Sequence, residues 1–501
     1  MNIFPMPQAT FRYESREEAE MAIRLHRFES SKVAGPGSSR RKLIDVLWSK
    51  SEFIKWASLD ELEISILDRL LASMREQNNL MQVPPGWKTE SSEVGLLSRT
   101  AETIRLMGHS YEYWQRGRPS IDAIRWEVVE KRIPLRDIPV NEFVERLIVD
   151  LGAFLSIDFE DSDDEIRSIA DSIRHVVPNV AGSLQVTHPR FSEFQYKSVL
   201  NGLQNALAGE FASVTSPNRA VVIAAGVGSG KTLAFMLPSL ILARRSIQLG
   251  REKHGAHMML YPRTALAVDQ FETLKKYSHA AGIPLDMVHS EMGRHYKTTN
   301  SSVRKGIRNT HLNTGRQPVL IISSFETLKR RMRHPVILKN LIQRIQTVTI
   351  DEVHLVRGVS GAQTAMLFRR LKTMARSSCS WVGASATIAN PQNHLARLIG
   401  IPEKRISIVE PTNESLRCDG VVHHVFIRPS GLVATSGALV NSTSLLIHSK
   451  RDDIGDRPTR KSQRQKVPKT LGFADSLETL GSWNEDFREN ERTSEFVTGG
   501  L

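Results

Sequence analysis

The spacing of apolar residues changes along the chain, from helical periodicity in the first part to short continuous runs in the centre. Up to about residue 180, apolar residues recur at the three- and four-residue spacing of amphipathic helices within residues 17–28, 42–56, 59–77 and 140–154. Clusters of glycine and proline, such as residues 35–37, separate these stretches. We therefore predict a mostly helical accessory domain over residues 1–180.

The central part alternates short apolar runs with helical patterns. The runs, each typical of a buried strand, are residues 221–225, 258–261, 285–289, 319–323, 347–350 and 381–385. Helical patterns lie between them, including residues 266–277 and 363–374. Such alternation predicts an α/β fold with a largely parallel sheet, helices on both faces and ligands at the carboxyl ends of the strands. We assign this lobe to residues 185–403 and treat residues 404–501 as a further segment.

Charge and cysteine content narrow the class of protein. The formal net charge is +13 at pH 7, which favours a polyanionic partner. Only Cys379 and Cys418 are present, too few for a disulfide framework or a cysteine zinc site, so we expect a reducing compartment. The sequence has no apolar run of membrane-spanning length and no signal-peptide pattern at residues 1–13. We expect a soluble cytoplasmic protein with no membrane partner.

The first central strand leads into a glycine-rich stretch with the sequence AGVGSGKT. Its glycines leave backbone N–H groups free to surround an anion, and the following helix directs its positive dipole end at the same place. Lys231 supplies a charge for the outer phosphates, and the Thr232 hydroxyl suits a Mg²⁺ ligand. The predicted phosphate-binding residues are Ala225, Gly226, Val227, Gly228, Ser229, Gly230, Lys231 and Thr232, of which Lys231 is also predicted to be catalytic.

Two later strands also end in polar groups. Asp351 and Glu352 follow residues 347–350; Asp351 can hold Mg²⁺, and Glu352 can orient and deprotonate a water that attacks the γ-phosphate. An isolated acidic pair is usually a surface feature, but its position after a β-branched strand and a phosphate loop favours catalysis. Ser385 and Thr387 end the next strand, where their hydroxyls can bond the acidic loop and sense the γ-phosphate.

Gln195 lies between aromatic residues shortly before the phosphate loop. Its amide carries a donor and an acceptor, which suits the two-sided edge of adenine. A surface glutamine is the alternative interpretation. Its placement before the loop favours adenine contact.

The ordered set AGVGSGKT, DEVH and SAT resembles motifs I, II and III of the DEAD/DEAH-box superfamily 2 helicases, a branch in which Ala225 is normal. Residues 261–270 resemble motif Ia, residues 323–331 resemble motif Ib, and Gln195 occupies the position of the Q-motif glutamine. The resemblance covers about residues 185–400 and implies a RecA-like lobe that binds ATP and Mg²⁺ and contacts a nucleic-acid strand at another edge. It assigns strand contacts to Arg263, Thr264, Ser324 and Thr327, and coupling to His354, Ser385 and Thr387.

Within that superfamily, the segment after DEVH and residues 261–270 look more like bacterial DNA helicases than RNA-specific proteins. The helical front part resembles the large helicases of DNA-modification and phage-defence clusters. The resemblance makes residues 404–501 the incomplete start of a second RecA-like lobe, in which residues 420–429 resemble the strand that leads into it and residues 469–483 resemble motif IV. We find neither motif V nor motif VI, whose arginines complete the ATP site in the family. We therefore expect either the front portion of a longer helicase or a partner chain that supplies the second lobe.

Three functions remain open at this point. The leading hypothesis is an ATP-dependent helicase or translocase, or the N-terminal portion of one, acting on DNA or RNA with DNA favoured. The alternative is a non-catalytic, nucleic-acid-binding regulatory subunit that uses ATP as a conformational ligand. Glu352 argues against this alternative, because binding alone does not require that carboxylate, whereas the missing motifs argue for it. A third, weaker option is an ATPase that acts on protein.

Overall fold

The chain forms two compact units in a computed structural model. One comprises Met1–Arg132 with Cys418–Leu501, and the other comprises Ile133–Arg417; we term them the N-terminal unit and the central unit. The structure describes residues 13, 15–36, 41–77, 79–86, 93–109, 111–112, 118–159, 163–208, 210–211, 220–226, 228–250, 255–288, 319–332, 342–375, 379–386, 389–430, 438–440, 442–443 and 483–487.

Helices dominate the front of the N-terminal unit, which confirms the predicted helical character. They are α1 (Arg16–Val33), α2 (Leu43–Val46), α3 (Lys50–Ala57), α4 (Glu61–Glu76) and α5 (Arg99–Gly108). The single helical stretch predicted over residues 42–56 is divided into α2 and α3. The reason is that Trp48 leaves the helix to form a β-bridge with Leu96, donating to its carbonyl at 3.1 Å and accepting from its N–H at 2.7 Å. Ser49 then caps α3 by accepting from the Glu52 N–H.

Strands of the N-terminal unit were not predicted before residue 420. They are β1 (Gly35–Pro36), β2 (Leu80–Val83), β3 (Gly95–Ser98), β4 (Tyr111–Glu112), β5 (Arg118–Pro119) and β6 (Ile121–Pro134). The predicted strand at residues 420–429 is observed as part of β16 (Leu416–Pro429), but it joins a three-stranded sheet in the order β1–β6–β16. Val421, Val425 and Ile427 pack against the apolar core of the N-terminal unit. That packing places these residues in this unit rather than at the start of a separate lobe.

A buried carboxylate lies in the core of the N-terminal unit. Glu29 has no exposed surface, and its two oxygens accept from the Trp48 indole at 3.0 Å and from the Ser98 N–H and hydroxyl, each at 2.6 Å. His26 Nδ1 lies 3.0 Å from the same carboxylate. Glu29 therefore ties α1 to the Trp48 bridge and to the start of α5.

The central unit is built on a seven-stranded sheet in which every described pairing is parallel, which confirms the predicted α/β fold. The strands are β9 (Ala220–Ala224), β10 (Ala256–Tyr261), β11 (Leu285–Val288), β12 (Leu320–Ser324), β13 (Ile345–Ile350), β14 (Ser380–Ser385) and β15 (Ile406–Val409). Their order in the sheet is β11–β12–β10–β13–β14–β9–β15. The first six match the predicted runs within two residues at either end. The seventh, β15, was placed in the segment after the lobe, but it pairs with β9.

Helices cover both faces of this sheet, as predicted. On one face, α6 (Val140–Leu155), α7 (Asp164–Gly182), α8 (Glu193–Leu207), α9 (Lys231–Gln248) and α10 (Thr264–Ala280) share an apolar cluster with Val221 and Ile223. On the other face, α11 (Phe325–Arg331), α12 (Gly358–Met374) and α13 (Pro391–Ile399) pack with Ala220 and Val222. Because α6 and α7 pack against α8 and α9, the first unit ends well before the predicted boundary at residue 180.

A two-stranded sheet precedes α8 and fixes where that helix begins. The strand β7 (Arg136–Pro139) pairs antiparallel with β8 (Arg190–Ser192), and Arg136 stands opposite Ser192. Ser192 then caps α8 by accepting from the Gln195 N–H at 3.2 Å. The position of Gln195 is therefore set by this cap and by the pairing of β7 with β8.

The segment resembling motif IV, residues 469–483, lies outside the described residues except for its last position. The presence of a second RecA-like lobe in this chain therefore stays a prediction. Among the helices of the described residues, none is long and apolar enough to cross a membrane.

Candidate nucleotide-binding site

The predicted phosphate loop joins the end of β9 to the N-terminus of α9. Gly228 and Gly230 both have φ of +83°, a left-handed conformation that is costly for residues with a Cβ. The Ser229 hydroxyl donates to the Gly226 carbonyl at 2.8 Å and closes the turn. A Cβ added at Gly226 or Gly228 would meet nothing within 4 Å. The loop therefore borders open space at the positive end of an 18-residue helix, while Val227 lies outside the described residues.

Lys231 connects the start of α9 to the end of β14. Its ammonium donates to the Ser385 carbonyl at 3.2 Å, and its positive charge lowers the pKa of Asp351 in opposition to stronger effects described below. The structure thus brings Lys231, Asp351 and Ser385 together at the carboxyl ends of neighbouring strands. Thr232 follows on the first turn of α9 and is partly exposed.

The acidic pair stands where β13 ends. The Asp351 N–H donates to the Leu260 carbonyl at 3.0 Å, and its carboxylate accepts from the Glu352 N–H at 2.8 Å. Burial, and secondarily the negative charge of Glu352, raises the pKa of Asp351 from 3.8 to about 6. A carboxylate that is both buried and next to a second acid is stabilised by a cation, which is the property of a metal ligand.

Glu352 has an unusual backbone conformation. Its φ of 49° and ψ of 45° are left-handed, and it precedes a short 3₁₀ helix over Val353–Leu355. For a residue other than glycine this conformation costs on the order of 1–2 kcal/mol. This turn ends the extended backbone of β13 at Glu352, whose carboxylate lies 3.2 Å from His354 Nδ1.

His354 links the acidic pair to the end of β14. Its Nδ1 lies 3.2 Å from Glu352 Oε2, 3.3 Å from the Ala386 N–H nitrogen and 3.5 Å from the Ser385 hydroxyl. An unprotonated Nδ1 accepts from Ala386, whereas a protonated one donates to Glu352, so the nitrogen serves one partner or the other. Three predicted residues, Glu352, His354 and Ser385, therefore meet. Thr387 lies outside the described residues.

Gln195 is buried and its amide is engaged at both ends. The carbonyl oxygen accepts from the Ser192 N–H at 3.0 Å, and the NH₂ group donates to the Gly230 carbonyl at 3.3 Å. A Cβ at Gly230 would lie 2.5 Å from Gln195 Nε2, so only glycine allows this approach. Gln195 thus braces the phosphate loop against α8. Adenine contact stays a prediction, and it requires an exchange of these hydrogen bonds.

The sequence-based search missed Arg136, which also reaches the phosphate loop. Its Nη2 lies 3.4 Å from the position that a Cβ at Gly230 would occupy. The long-range pairing of β7 with β8 brings it there. No local sequence signal marks that pairing, because Arg136 lies far before the loop along the chain.

The predicted strand-contact residues form a second group at the ends of β10 and β12. The Thr264 and Ser324 hydroxyls lie 3.1 Å apart, and Ser324 Oγ lies 3.0 Å from Thr327 Oγ1. Ser324 and Thr327 are each 1 % exposed, whereas Arg263 is exposed and Thr264 partly so. The structure brings the three hydroxyls together, but their contact with nucleic acid stays a prediction.

The donor set suits Mg²⁺ better than a metal held by a protein cage. Within the described parts of the chain, no cluster of three or more histidine, cysteine or acidic side chains is placed to hold a metal. One half-buried carboxylate, Asp351, and one hydroxyl, Thr232, are typical of Mg²⁺ sites in which phosphates and waters complete the shell. The residues present therefore fit the implied cation.

Comparisons with known proteins find sequence similarity to helicases over part of the chain. A model of the DEAD/DEAH box helicase family matches residues 207–395. The "Uncharacterized ATP-dependent helicase YprA" of Bacillus subtilis (strain 168) is 26 % identical over 212 residues, which are 42 % of this chain and 25 % of that protein. The "ATP-dependent helicase HRQ1" of Saccharomyces cerevisiae is 25 % identical over 189 residues, 36 % of this chain and 16 % of that protein. The chain thus matches a quarter or less of either relative's length.

Solved structures with partial similarity include two helicases. The DUF1998 helicase MrfA bound to DNA gives a TM-score of 0.41 at 18 % identity, covering 67 % of this chain and 40 % of that one. The DEAD-box helicase Mss116 bound to ssRNA and UDP-BeF gives a TM-score of 0.38 at 14 % identity, covering 56 % and 47 %.

Proposed function

We propose that this chain, which carries a DEAD/DEAH box helicase domain over residues 207–395, couples ATP hydrolysis to movement along a nucleic-acid strand or to separation of strands. One observation carries the proposal. Lys231, Asp351, Glu352 and Ser385 converge at the carboxyl ends of β9, β13 and β14, beside the open N-terminus of α9. A parallel α/β sheet binds its ligands at this edge.

Each group at this edge has a distinct role in phosphoryl transfer. The loop amides and Lys231 hold the phosphates, and Thr232 and Asp351 hold Mg²⁺. Bound Mg²⁺ supplies neutralisation of charge on the outer phosphates. Glu352 orients the attacking water and accepts its proton. The Asp351 carboxylate accepts from the Glu352 N–H, whereas the Glu352 carboxylate lies 3.2 Å from His354 Nδ1, so one acid is left to serve the cation and the other the water.

Coupling to the strand-binding edge runs through His354. Its Nδ1 is shared between Glu352 and the backbone of Ala386, and the Ser385 hydroxyl lies within reach. A change in the charge or position of Glu352 during hydrolysis therefore alters the contact of His354 with the end of β14. Ser385 and Thr387 carry that change onward.

The nucleic-acid strand lies along Arg263, Thr264, Ser324 and Thr327. Hydroxyls and an arginine at strand ends suit sugar-phosphate contact without base readout. Only Arg263 and Thr264 are accessible, so the buried Ser324 and Thr327 hold the Thr264 hydroxyl in place. DNA is favoured over RNA because residues 261–270 and the segment after DEVH resemble bacterial DNA helicases.

A second RecA-like lobe, on a longer polypeptide or a partner, completes the site with further arginines. Support comes from the length of the relatives, of which this chain matches 25 % and 16 %. An arginine finger raises turnover by about 10³- to 10⁵-fold in related phosphoryl-transfer sites. Without that lobe, we expect nucleotide binding with slow turnover.

The test is ATP turnover measured with single-stranded DNA, with single-stranded RNA and without nucleic acid. We expect stimulation by DNA in the wild type when the second lobe is present, and none in Lys231→Ala. Lys404→Ala, which removes an exposed charge elsewhere, is the matched control and should behave as wild type. Turnover no faster than that of Lys231→Ala would reject the enzymatic function. If ATP still bound, the regulatory alternative would replace it.

A further inference from the structure

Four exposed arginines lie at the edge of the central sheet opposite to the nucleotide-binding site. Arg369 and Arg370 stand near the end of α12, Arg397 in the last turn of α13, and Arg405 directly before β15. Along the chain α12 precedes β14 and α13 precedes β15, and both strands run parallel to β9. The ends of both helices therefore lie at the amino ends of the strands, whereas the nucleotide-binding residues lie at the carboxyl ends. We term these four arginines the basic edge.

The ends of α12 and α13 are joined to each other by side chains of α12. The Lys372 ammonium donates to the carbonyls of Ile399 and Gly400, each at 3.0 Å. Arg369 Nε lies 3.5 Å from the position that a Cβ at Gly400 would occupy. Arg397 is two residues before Ile399, so the arginines of the two helices belong to one surface.

The positive charge of the basic edge is not neutralised by neighbouring acids. Within the described parts of the chain, none of the four arginine side chains has an ion-pair or hydrogen-bond partner. Glu403 precedes Arg405 by two positions, but its carboxylate accepts from the Asn393 amide at 2.8 Å. Burial, and secondarily the positive charge of Arg369, lowers the pKa of Lys372. The second of these effects is the one that an uncompensated cation exerts on a neighbouring ammonium.

The surroundings of the basic edge indicate which kind of anion fits it. A guanidinium binds a phosphate through two parallel hydrogen bonds. The nearby rings of Phe368 and Trp381 are 0 % and 1 % exposed, so they offer no stacking surface of the kind that single-strand sites use. Residues 367–375 and 395–407 expose no large apolar side chain, so the apolar anchors of protein interfaces are missing there too. Charge without apolar surface suits the phosphate backbone of a double helix.

We propose that the basic edge is a second nucleic-acid site, which holds the phosphate backbone of duplex DNA. The strand contacts at Arg263 and Thr264 follow the carboxyl end of β10, so the two sites lie at opposite edges of one sheet. Because the basic edge is remote from the phosphate loop, its affinity for a duplex does not depend on bound nucleotide. The choice of DNA over RNA rests on the proposed function, whereas the contact itself goes beyond it.

The experiment measures dissociation constants of the full chain, without nucleotide and at several salt concentrations, for a short DNA duplex and for one of its strands. We expect the double variant Arg370→Gln/Arg397→Gln to bind the duplex about tenfold more weakly, because two phosphate contacts are lost. The slope of log affinity against log salt should fall by about 1.8 in magnitude for the same reason. Binding of the single strand should change less than about twofold.

The matched control is Lys275→Gln/Lys276→Gln, which removes the same charge from two exposed positions on α10. Because α10 packs on the other face of the sheet, this pair should bind the duplex as wild type does. An equal loss in the control pair would indicate an effect of net charge alone and would overturn the inference.

Three further results would also overturn it. They are an unchanged duplex affinity and salt slope in Arg370→Gln/Arg397→Gln, an equal loss for the single strand, and a loss confined to duplex RNA. Binding of polyglutamate by wild type, lost in the double variant while duplex binding persists, would assign the surface to an acidic protein instead. A lowered melting temperature of the free double variant, with the same loss for every ligand, would show that these cations only stabilise the helix ends.

Failure of the proposed function has a different signature. If the double variant loses duplex affinity while nucleic acid fails to stimulate ATP turnover in wild type, the inference holds and the proposed function does not. If a single strand stimulates turnover and the double variant binds the duplex normally, only the inference fails. Absence of any nucleic-acid binding by wild type would overturn both.

Discussion

Replacing Asp351 by asparagine is expected to make the nucleotide-free protein more stable while it removes Mg²⁺-dependent nucleotide binding. The carboxylate is largely buried and lies next to Glu352, and these two effects raise its pKa from 3.8 to about 6. Asparagine keeps the oxygen that accepts from the Glu352 N–H and removes the charge. The substitution therefore separates two effects of the Asp351 charge: the destabilisation of the nucleotide-free protein and the contribution to Mg²⁺-dependent nucleotide binding.

The sign and size follow from proton linkage. Because the pKa is higher in the folded protein, the folded state binds a proton more tightly, and stability falls as pH rises from about 4 to about 6. Each unit of pKa difference between the folded and unfolded states is worth about 1.4 kcal/mol, so the charged Asp351 destabilises the protein by at most about 3 kcal/mol at pH 7. Partial exposure of the carboxylate reduces this, and we expect about 2 kcal/mol.

The assay is urea unfolding at several pH values between 4 and 7, with nucleotide binding measured in parallel. Asp351→Asn should exceed wild type at pH 7, and the difference should shrink towards pH 4. Asp269→Asn, an exposed position on α10, should leave stability and binding unchanged. A stability difference that is absent at pH 7, or the same at all pH values, would refute the reasoning.

Three further substitutions test packing inside the units, one in the N-terminal unit and two in the central unit. Glu29→Ala leaves the Trp48 indole and the Ser98 donors unpaired in the core, so the free energy of unfolding should fall by about 3 kcal/mol or more; a change under 1 kcal/mol in a denaturation curve would contradict this estimate. Burial lowers the pKa of His257 from 6.5 to about 3. The unfolded chain therefore takes up the proton first, and stability should decline by about 1.4 kcal/mol per pH unit as pH falls below 6.5. His257→Asn should flatten that part of the pH profile, and a profile parallel to wild type would argue against it. The Tyr261 hydroxyl is buried with no hydrogen-bond partner among the described residues. Tyr261→Phe should then leave stability unchanged or raise it by up to about 1 kcal/mol, and a clear loss in thermal unfolding would show that the hydroxyl has a partner.

The central sheet was predictable because buried parallel strands are nearly continuous apolar runs. The six predicted runs each became a strand, whereas the four-residue β15 was missed because it has a half-exposed serine in its middle. In β6, buried Ile124, Trp126 and Val128 alternate with exposed or half-exposed residues, which is a local strand signal that our prediction overlooked, whereas the length of β6 rests on pairing with distant segments. Such pairing, like that of Trp48 with Leu96, leaves no local trace.

The residues of the candidate site also divide into those that a local sequence signal marks and those that none marks. Lys231, Asp351, Glu352 and Ser385 were found because each stands at a strand end or loop with a recognisable order of residue types. The brace formed by Gln195 had a signal, since a serine followed three residues later by glutamine is a capping box. Arg136 had none.

The most direct measurement is single-turnover ATP hydrolysis by Glu352→Gln beside ATP affinity in the same samples. We expect ATP to bind with an affinity close to that of wild type, because the role proposed for Glu352 is to activate the attacking water rather than to hold the phosphates. Hydrolysis should fall by at least about 10²-fold, the usual contribution of a general base. Hydrolysis at the wild-type rate in Glu352→Gln would contradict the assignment of this strand-end acid as the catalytic base.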